Sequence, residues 1–230
     1  MNREPLVHSA AEAFDRYQAY FDEDRLIQSG WHDQAADGRQ LACALGVLGD
    51  EVEGSSKCPA TVMPRWLAKM VPWLFDRQAF DDAKAWGLAF YAELKRIDGR
   101  VPFKVVYDWH ANYVTPLAIE VSEARGRPVA PHQALQELHR RALNGDRAPV
   151  EQWRTALRDA YAYAYADAYA YANAYAYAYA NAYANAYAYA NAYADANAYA
   201  ERTRRMKRIA DGLVECLRRV PTPAASEQVQ

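Results

Sequence analysis

Histidine beside aspartate is where acid–base chemistry would be sought first, and the chain offers two such places: His32–Asp33 in "GWHDQ" and Asp108 with His110 in "YDWHANY". On a helix, residues two apart point about 200° from each other, so Asp108 cannot orient the His110 ring. His110 is therefore expected at the edge of a helix's buried side, and His32–Asp33 in a turn. His132 and His139 share a helical face two turns apart, about 10 Å along the axis, too far to hold one metal. Both are expected at the surface. Cys43 and Cys58 are separated by fourteen residues and could join His32 and an acid from "GDEVEGSSKC" in a metal site. Zinc sites usually carry closely spaced cysteine pairs, so Cys43 is read as a small core residue and Cys58 as a residue capping or preceding a helix.

A second kind of chemistry is suggested by "ERTRRMKRIADG", which concentrates Arg202, Arg204, Arg205, Lys207 and Arg208. Such a run can bind nucleic acid. Cations near a helix C-terminus also complement the helix dipole, and Glu201, Asp211 and Glu215 dilute this patch. The whole chain, with 27 basic and 29 acidic residues, exerts no strong field on nucleic acid or an anionic membrane. Its three cysteines are odd in number and widely spaced, and its start lacks an apolar signal-peptide run, so a reduced, cytoplasmic setting is expected.

The elements that would position these residues read as helices. Ser9 and Glu12 have the spacing of a capping box, opening a helix with Phe14, Tyr17 and Phe21 inward. "GRQLACALGVLG" places Leu41, Leu45 and Leu48 on one helical face. "CPATVMPRWLAKMVPWLFD" sets Met63, Trp66, Leu67, Met70 and Leu74 on another, with Pro72 expected to bend it. Phe80, Ala83, Gly87, Phe90, Leu94 and Ile97 alternate spacings of three and four, and Gly87 would let a neighbour come close. Val106, Trp109, Tyr113 and Leu117 mark a helix interrupted at Pro116. A further helix starts at Pro131, turns Leu135, Leu138 and Ala142 inward, and stops at Asn144–Gly145. No alternating strand pattern competes.

The segment from Ala160 to Ala200 has alanine at every even position and Tyr, Asn or Asp at every odd one. A period of two suggests a strand, yet alanine is the best helix former and the tract is far too long for one strand. At about 100° per residue, Asp167, Asn173, Asn181, Asn185, Asn191 and Asp195 fall within roughly one third of the helical circle, leaving Asn197 outside. Tyr161, Tyr165, Tyr169, Tyr171, Tyr175, Tyr179, Tyr183, Tyr187, Tyr189 and Tyr193 fall on the other side, leaving Tyr163, Tyr177 and Tyr199 as exceptions. The choice between Tyr and Asn therefore follows a helical period, against a silk-like cross-β stack as the competing arrangement. The two-residue repeat itself is also what repeat expansion in a gene would leave. Between Asp167 and Asp195 lie 27 uncharged residues, but four are asparagines, whose burial in lipid costs several kcal/mol each by order of magnitude. A membrane span is not expected.

These readings give an all-α protein: a helical globular domain over residues 1–148, one long Ala/Tyr-rich amphipathic helix over 149–219, and a disordered tail over 220–230. Such a helix would be on the order of 100 Å long, against a diameter near 40 Å for the preceding domain. Most of it must pair with another chain, fold back at an unmarked break, or stand in water. "CPATVMPRWLAKMVPWLFD", then "WGLAFYAEL", then the Ala-rich tract ending in "RIADGLVECL" resemble a group of phage and prophage proteins of no assigned function. The resemblance spans nearly the whole chain and implies a bacterial-cytoplasm setting and a phage-encoded accessory gene; it implies no substrate, cofactor or catalytic residue. The expected function is non-catalytic protein interaction, most simply self-association through the tyrosine side of the long helix, with no cofactor and no metal. The alternatives are an enzyme or metal-binding module around His32, Cys43 and Cys58, and nucleic-acid binding through residues 202–208.

Overall fold

The computed structural model describes residues 4–162 and 198–223, and these are mostly helical. The chain divides into two compact units, Met1–Pro102 with Val214–Gln230, and Phe103–Leu213. This division differs from boundaries at 148 and 219. No helix among the described residues is long and apolar enough to cross a membrane.

The first unit is built on α1 (Ala10–Asp22), α2 (Arg65–Asp76) and α3 (Phe80–Arg96). The Ser9 half of the capping box forms as the sequence suggests, Ser9 Oγ accepting from the Glu12 amide, while the Glu12 carboxylate accepts from the His8 amide, one residue before the cap. α2 carries Pro72 inside yet runs on to Asp76, and Leu67, Ala68, Met70, Val71, Trp73, Leu74 and Phe75 are all buried, making it a core helix. Met63 is buried too, but one residue before the proline that caps α2, and Trp66 is only half-buried. On α3 the expected seam is inward at Ala83, Gly87, Phe90 and Leu94, while Phe80 at its start is exposed. The close approach expected at Gly87 is made by Tyr17 of α1, whose hydroxyl donates to the Lys84 carbonyl at 3.1 Å. Tyr17 also packs on Tyr91 with ring centroids 5.0 Å apart, and the Tyr91 hydroxyl donates to the Ala44 carbonyl at 2.5 Å.

"GRQLACALGVLG" is not a helix. It holds β2 (Gln40–Ala42), paired antiparallel with β1 (His32–Gln34), followed by a 3-10 turn over Gly46–Leu48. The reason is long-range: Ala42 also bridges Leu26 in parallel, its amide donating to Arg25 and its carbonyl accepting from Ile27. With its backbone groups engaged by other segments, the stretch buries Leu45 and Leu48 without forming an α-helix. At the C-terminal end of the chain, Arg96 donates to the carbonyls of Leu217 and Val220 and to the Thr222 hydroxyl. Val220, where a disordered tail was expected to begin, is buried, and residues 224–230 lie outside the described residues.

The second unit has as its spine the helical stretch α4 (Lys104–Trp109), a π turn over His110–Val114 and α5 (Thr115–Glu123). Against it lie α6 (Ala130–Leu143) and, on α6, α7 (Val150–Ala162), joined through Leu135, Leu138, Ala156, Leu157 and Ala160. The first part of α8 (Ala198–Arg218) completes the unit; the division between the units falls within this helix, after Leu213. Trp109 Nε1 donates to the Ile209 carbonyl at 2.7 Å, and the Tyr113 ring packs on Gly212.

α7 and α8 are not the two ends of one straight helix. Trp153 of α7 meets His139 at 4.9 Å, His139 meets His110 at 4.6 Å, His110 meets Trp109 at 5.1 Å, and Trp109 reaches Ile209 of α8 at 2.7 Å. A straight α-helix would hold residues 153 and 209 about 84 Å apart at 1.5 Å per residue. Of the long helix expected over 149–219, the described residues show its two ends, Val150–Ala162 and Ala198–Arg218, and these do not lie on one straight axis. The Ala/Tyr tract over 163–197 lies outside the described residues, and with it every tyrosine from Tyr163 to Tyr193; the backbone at Tyr161 and Tyr199 is helical, ending α7 and opening α8.

Candidate functional site: a buried histidine pair at a π turn

The π turn follows from two adjacent residues. The Thr115 amide donates to the His110 carbonyl, five residues back, and the Thr115 hydroxyl donates to the same oxygen at 2.7 Å. The Ala111 carbonyl thus loses its ordinary α-helical donor. The next candidate is Pro116, which has no N–H. Gln136 of α6 fills the gap, its Nε2 donating to the Ala111 oxygen at 2.8 Å in a buried setting. The interruption expected at Pro116 is therefore a widened turn within a continuous helical stretch. Replacing Gln136 with leucine would strand that buried carbonyl, at a cost of about 1–3 kcal/mol. A fall in thermal midpoint for Gln136→Leu, and a smaller one for a surface control such as Gln133→Leu, would check this.

The same turn carries His110 into the interior. Its ring stacks on that of His139 of α6 with centroids 4.6 Å apart and planes 24° from parallel. His110 is 0 % exposed and His139 3 %. Among the described residues, neither ring nitrogen of either histidine has a hydrogen-bond partner. Rings surround the pair: Trp109 stands edge-on to His110, Trp153 edge-on to His139, and Tyr107 lies 6.1 Å from His139. Burial in this apolar shell pushes the His110 imidazole down to about 3. Burial, and then the charge of His110, hold His139 well below the ordinary histidine value. Both rings are neutral at physiological pH and can gain a proton or a donor only if the shell opens.

His132 and His139 are not surface residues. Both are buried, and burial lowers His132 as well. They extend the apolar stripe of α6, which runs His132, Leu135, Gln136, Leu138, His139 and Ala142. That spacing was visible in the sequence, and polarity alone argued against it. Asp108 does not serve His110, as its geometry on a helix implies; its carboxylate accepts from Asn112 at 2.7 Å.

The other candidate groups sit elsewhere. His32 lies on β1 with its ring nitrogens buried and, among the described residues, without hydrogen-bond partners; Cys43 Sγ accepts from the Gly46 amide at 3.4 Å, and Cys58 Sγ lies 3.8 Å from the Pro59 carbonyl. Burial raises both thiols, Cys58 to about 12, so neither is a ready thiolate. Cys58 follows a 3-10 turn over Ser55–Lys57. Among the described residues, no three His, Cys, Asp or Glu side chains gather where a metal could sit. The basic run of α8 is laced with acids: Arg204 and Arg205 pair with Glu201, Lys207 with Asp211, and Arg208 with both oxygens of Glu120.

No family model, no curated protein and no solved structure matches this chain.

Proposed function

We propose that this chain is a non-catalytic association protein of the bacterial or phage-infected cytoplasm, which binds a second copy of itself through the tyrosine side of a helical Ala/Tyr tract. The observation carrying this reading is the segregation of Tyr from Asn and Asp on a 3.6-residue period, which a two-residue repeat does not produce by itself. Helical backbone on either side, up to Ala162 and from Ala198, supports it. Tyrosine offers rigid, half-polar contact area at low entropic cost, and alanine lets backbones approach. The contact side comprises Tyr161, Tyr165, Tyr169, Tyr171, Tyr175, Tyr179, Tyr183, Tyr187, Tyr189 and Tyr193. The phage or prophage origin implied by the resemblance belongs to the same proposal.

Replacing Tyr171, Tyr175, Tyr189 and Tyr193 with asparagine is expected to weaken self-association at least tenfold, since an aromatic contact at an interface is worth up to a few kcal/mol by order of magnitude. The same change at Tyr163, Tyr177 and Tyr199 should leave it within about threefold, because Tyr and Asn differ little in helix propensity. Light-scattering mass across a dilution series reads both. Equal effects from the two sets would overturn the assignment of the surface, and a wild-type monomer at high concentration would overturn self-association.

A further inference from the structure

Two uncharged imidazoles stacked in an aromatic shell, with none of their nitrogens hydrogen-bonded among the described residues, form an arrangement that holds only while neither ring carries a proton. The element that closes the shell is α7. Its Trp153 packs edge-on against His139 and lies 6.2 Å from Tyr107, and beyond Trp153 the helix is held to α6 by small and aliphatic contacts, Ala156, Leu157 and Ala160 on Leu135 and Leu138. We propose that the His110–His139 pair is an acid-operated latch, holding α7 on the second unit at neutral pH and releasing it in mildly acidic medium.

Among the described residues, no counter-charge is placed to accept the proton in the closed state. The titratable group facing the pair from α4 is the Tyr107 phenol ring. The acids of the surrounding elements are engaged elsewhere: Asp108 with Asn112 on the spine helix, Glu120 with Arg208, Glu151 with Arg154 and Asp159 with Arg158 on α7, Glu201 with Arg205 and Asp211 with Lys207 on α8. Arg141 of α6 is held by Asp146, and Lys104, Glu137 and Arg140 are exposed to solvent. Burial shifts His110, and burial followed by its neighbour shifts His139; among the described residues no carboxylate contributes to either. A proton therefore reaches His139 only when Trp153 lifts away. An opened ring with the ordinary histidine pKa near 6.5 is favoured about 30-fold by moving from neutral pH to pH 5. The latch is independent of the association proposed above.

Hydrogen exchange on the full chain, with rates corrected for the intrinsic effect of pH, tests the latch at pH 7.5 and 5.0. Protection of the α7 amides is expected to fall about 30-fold at the lower pH while α1 and α3 stay within about threefold. His139→Phe keeps a ring against His110 and Trp153 but cannot take a proton, so its α7 protection should change less than about threefold. Unchanged α7 protection in the wild type, or an equal fall in His139→Phe, would overturn the proposal. Should that variant fail to fold, the wild-type imidazole C–H resonances decide it. A protonated set appearing in step with α7 release supports the latch; a single set titrating smoothly near the ordinary value while α7 stays protected overturns it.

Discussion

Replacing Gly87 with alanine is expected to destabilise the first unit by about 1–3 kcal/mol, although alanine is the better helix former by about 1 kcal/mol. A Cβ at this position would lie 2.0 Å from the Tyr17 hydroxyl oxygen, 2.3 Å from Cζ and 2.9 Å from Cε2. The ring cannot simply swing aside. Tyr17 is 0 % exposed, packed on the tilted ring of Tyr91, and tied by its hydroxyl to the carbonyl of Lys84, one turn before Gly87 on α3. Overpacking a core costs about 1–3 kcal/mol and the hydrogen bond lost with it about 1 more, so the propensity gain is outweighed. Burial also holds the phenol far above its usual range, so no accessible pH relieves the crowding by ionisation. The diagnostic is a double-mutant cycle read by urea unfolding. In a Tyr17→Leu background the same Gly87→Ala change should become neutral or stabilising, since the crowding atoms are gone and the helix propensity remains. An equal loss in both backgrounds would show that the contact with Tyr17 is not what requires glycine there.

The close approach at Gly87 was legible in the sequence, from a three-four seam with a single glycine in it, but its partner Tyr17 on another helix was not. α2, α3, α6 and the Ser9 cap of α1 were legible too, since each is written in side-chain periodicity or capping chemistry within one segment. The strand at Gln40–Ala42 was not, because its backbone partners are Arg25, Ile27 and the β1 residues, and no spacing inside "GRQLACALGVLG" encodes them. The π turn was half legible. Pro116 announces an interruption, but the rescue of the Ala111 carbonyl by Gln136 requires knowing that α6 crosses there. The histidine pair was hidden by an assumption about polarity. His139 occupies a core position of the α6 stripe beside Leu135, Leu138 and Ala142, and reading spacing ahead of residue type would have placed it inside. Its meeting with His110, 29 positions earlier, is a tertiary fact.

Between pH 7.5 and 5 the second unit is expected to lose about 4 kcal/mol of stability, from two residues. In the unfolded chain each histidine takes up a proton near 6.5. In the folded unit His110 does so only at about 3, and His139 is also held well below the ordinary value. A histidine whose folded pKa is depressed contributes its full stability above the unfolded value and loses it as pH falls toward the folded one. Each ring therefore costs about 1.4 kcal/mol per pH unit below 6.5, about 2 kcal/mol by pH 5, and the pair about twice that. His132, lowered by burial, acts in the same direction. The window separates these rings from the carboxylates: Glu120, held down by Arg208, loses its contribution only as pH falls below the ordinary glutamate value. Against a typical domain stability of about 5–15 kcal/mol the loss is large enough to read directly. Urea unfolding at pH 7.5, 6.5, 5.5 and 5.0, followed by exchange of the α4 and α6 amides, should give a stability flat above 6.5 and falling below it. His110→Phe combined with His139→Phe should flatten most of that slope. A wild-type unit equally stable at pH 7.5 and 5 would mean that the folded rings accept protons where they stand, and that their unpartnered nitrogens are reached by a donor or acceptor outside the described residues.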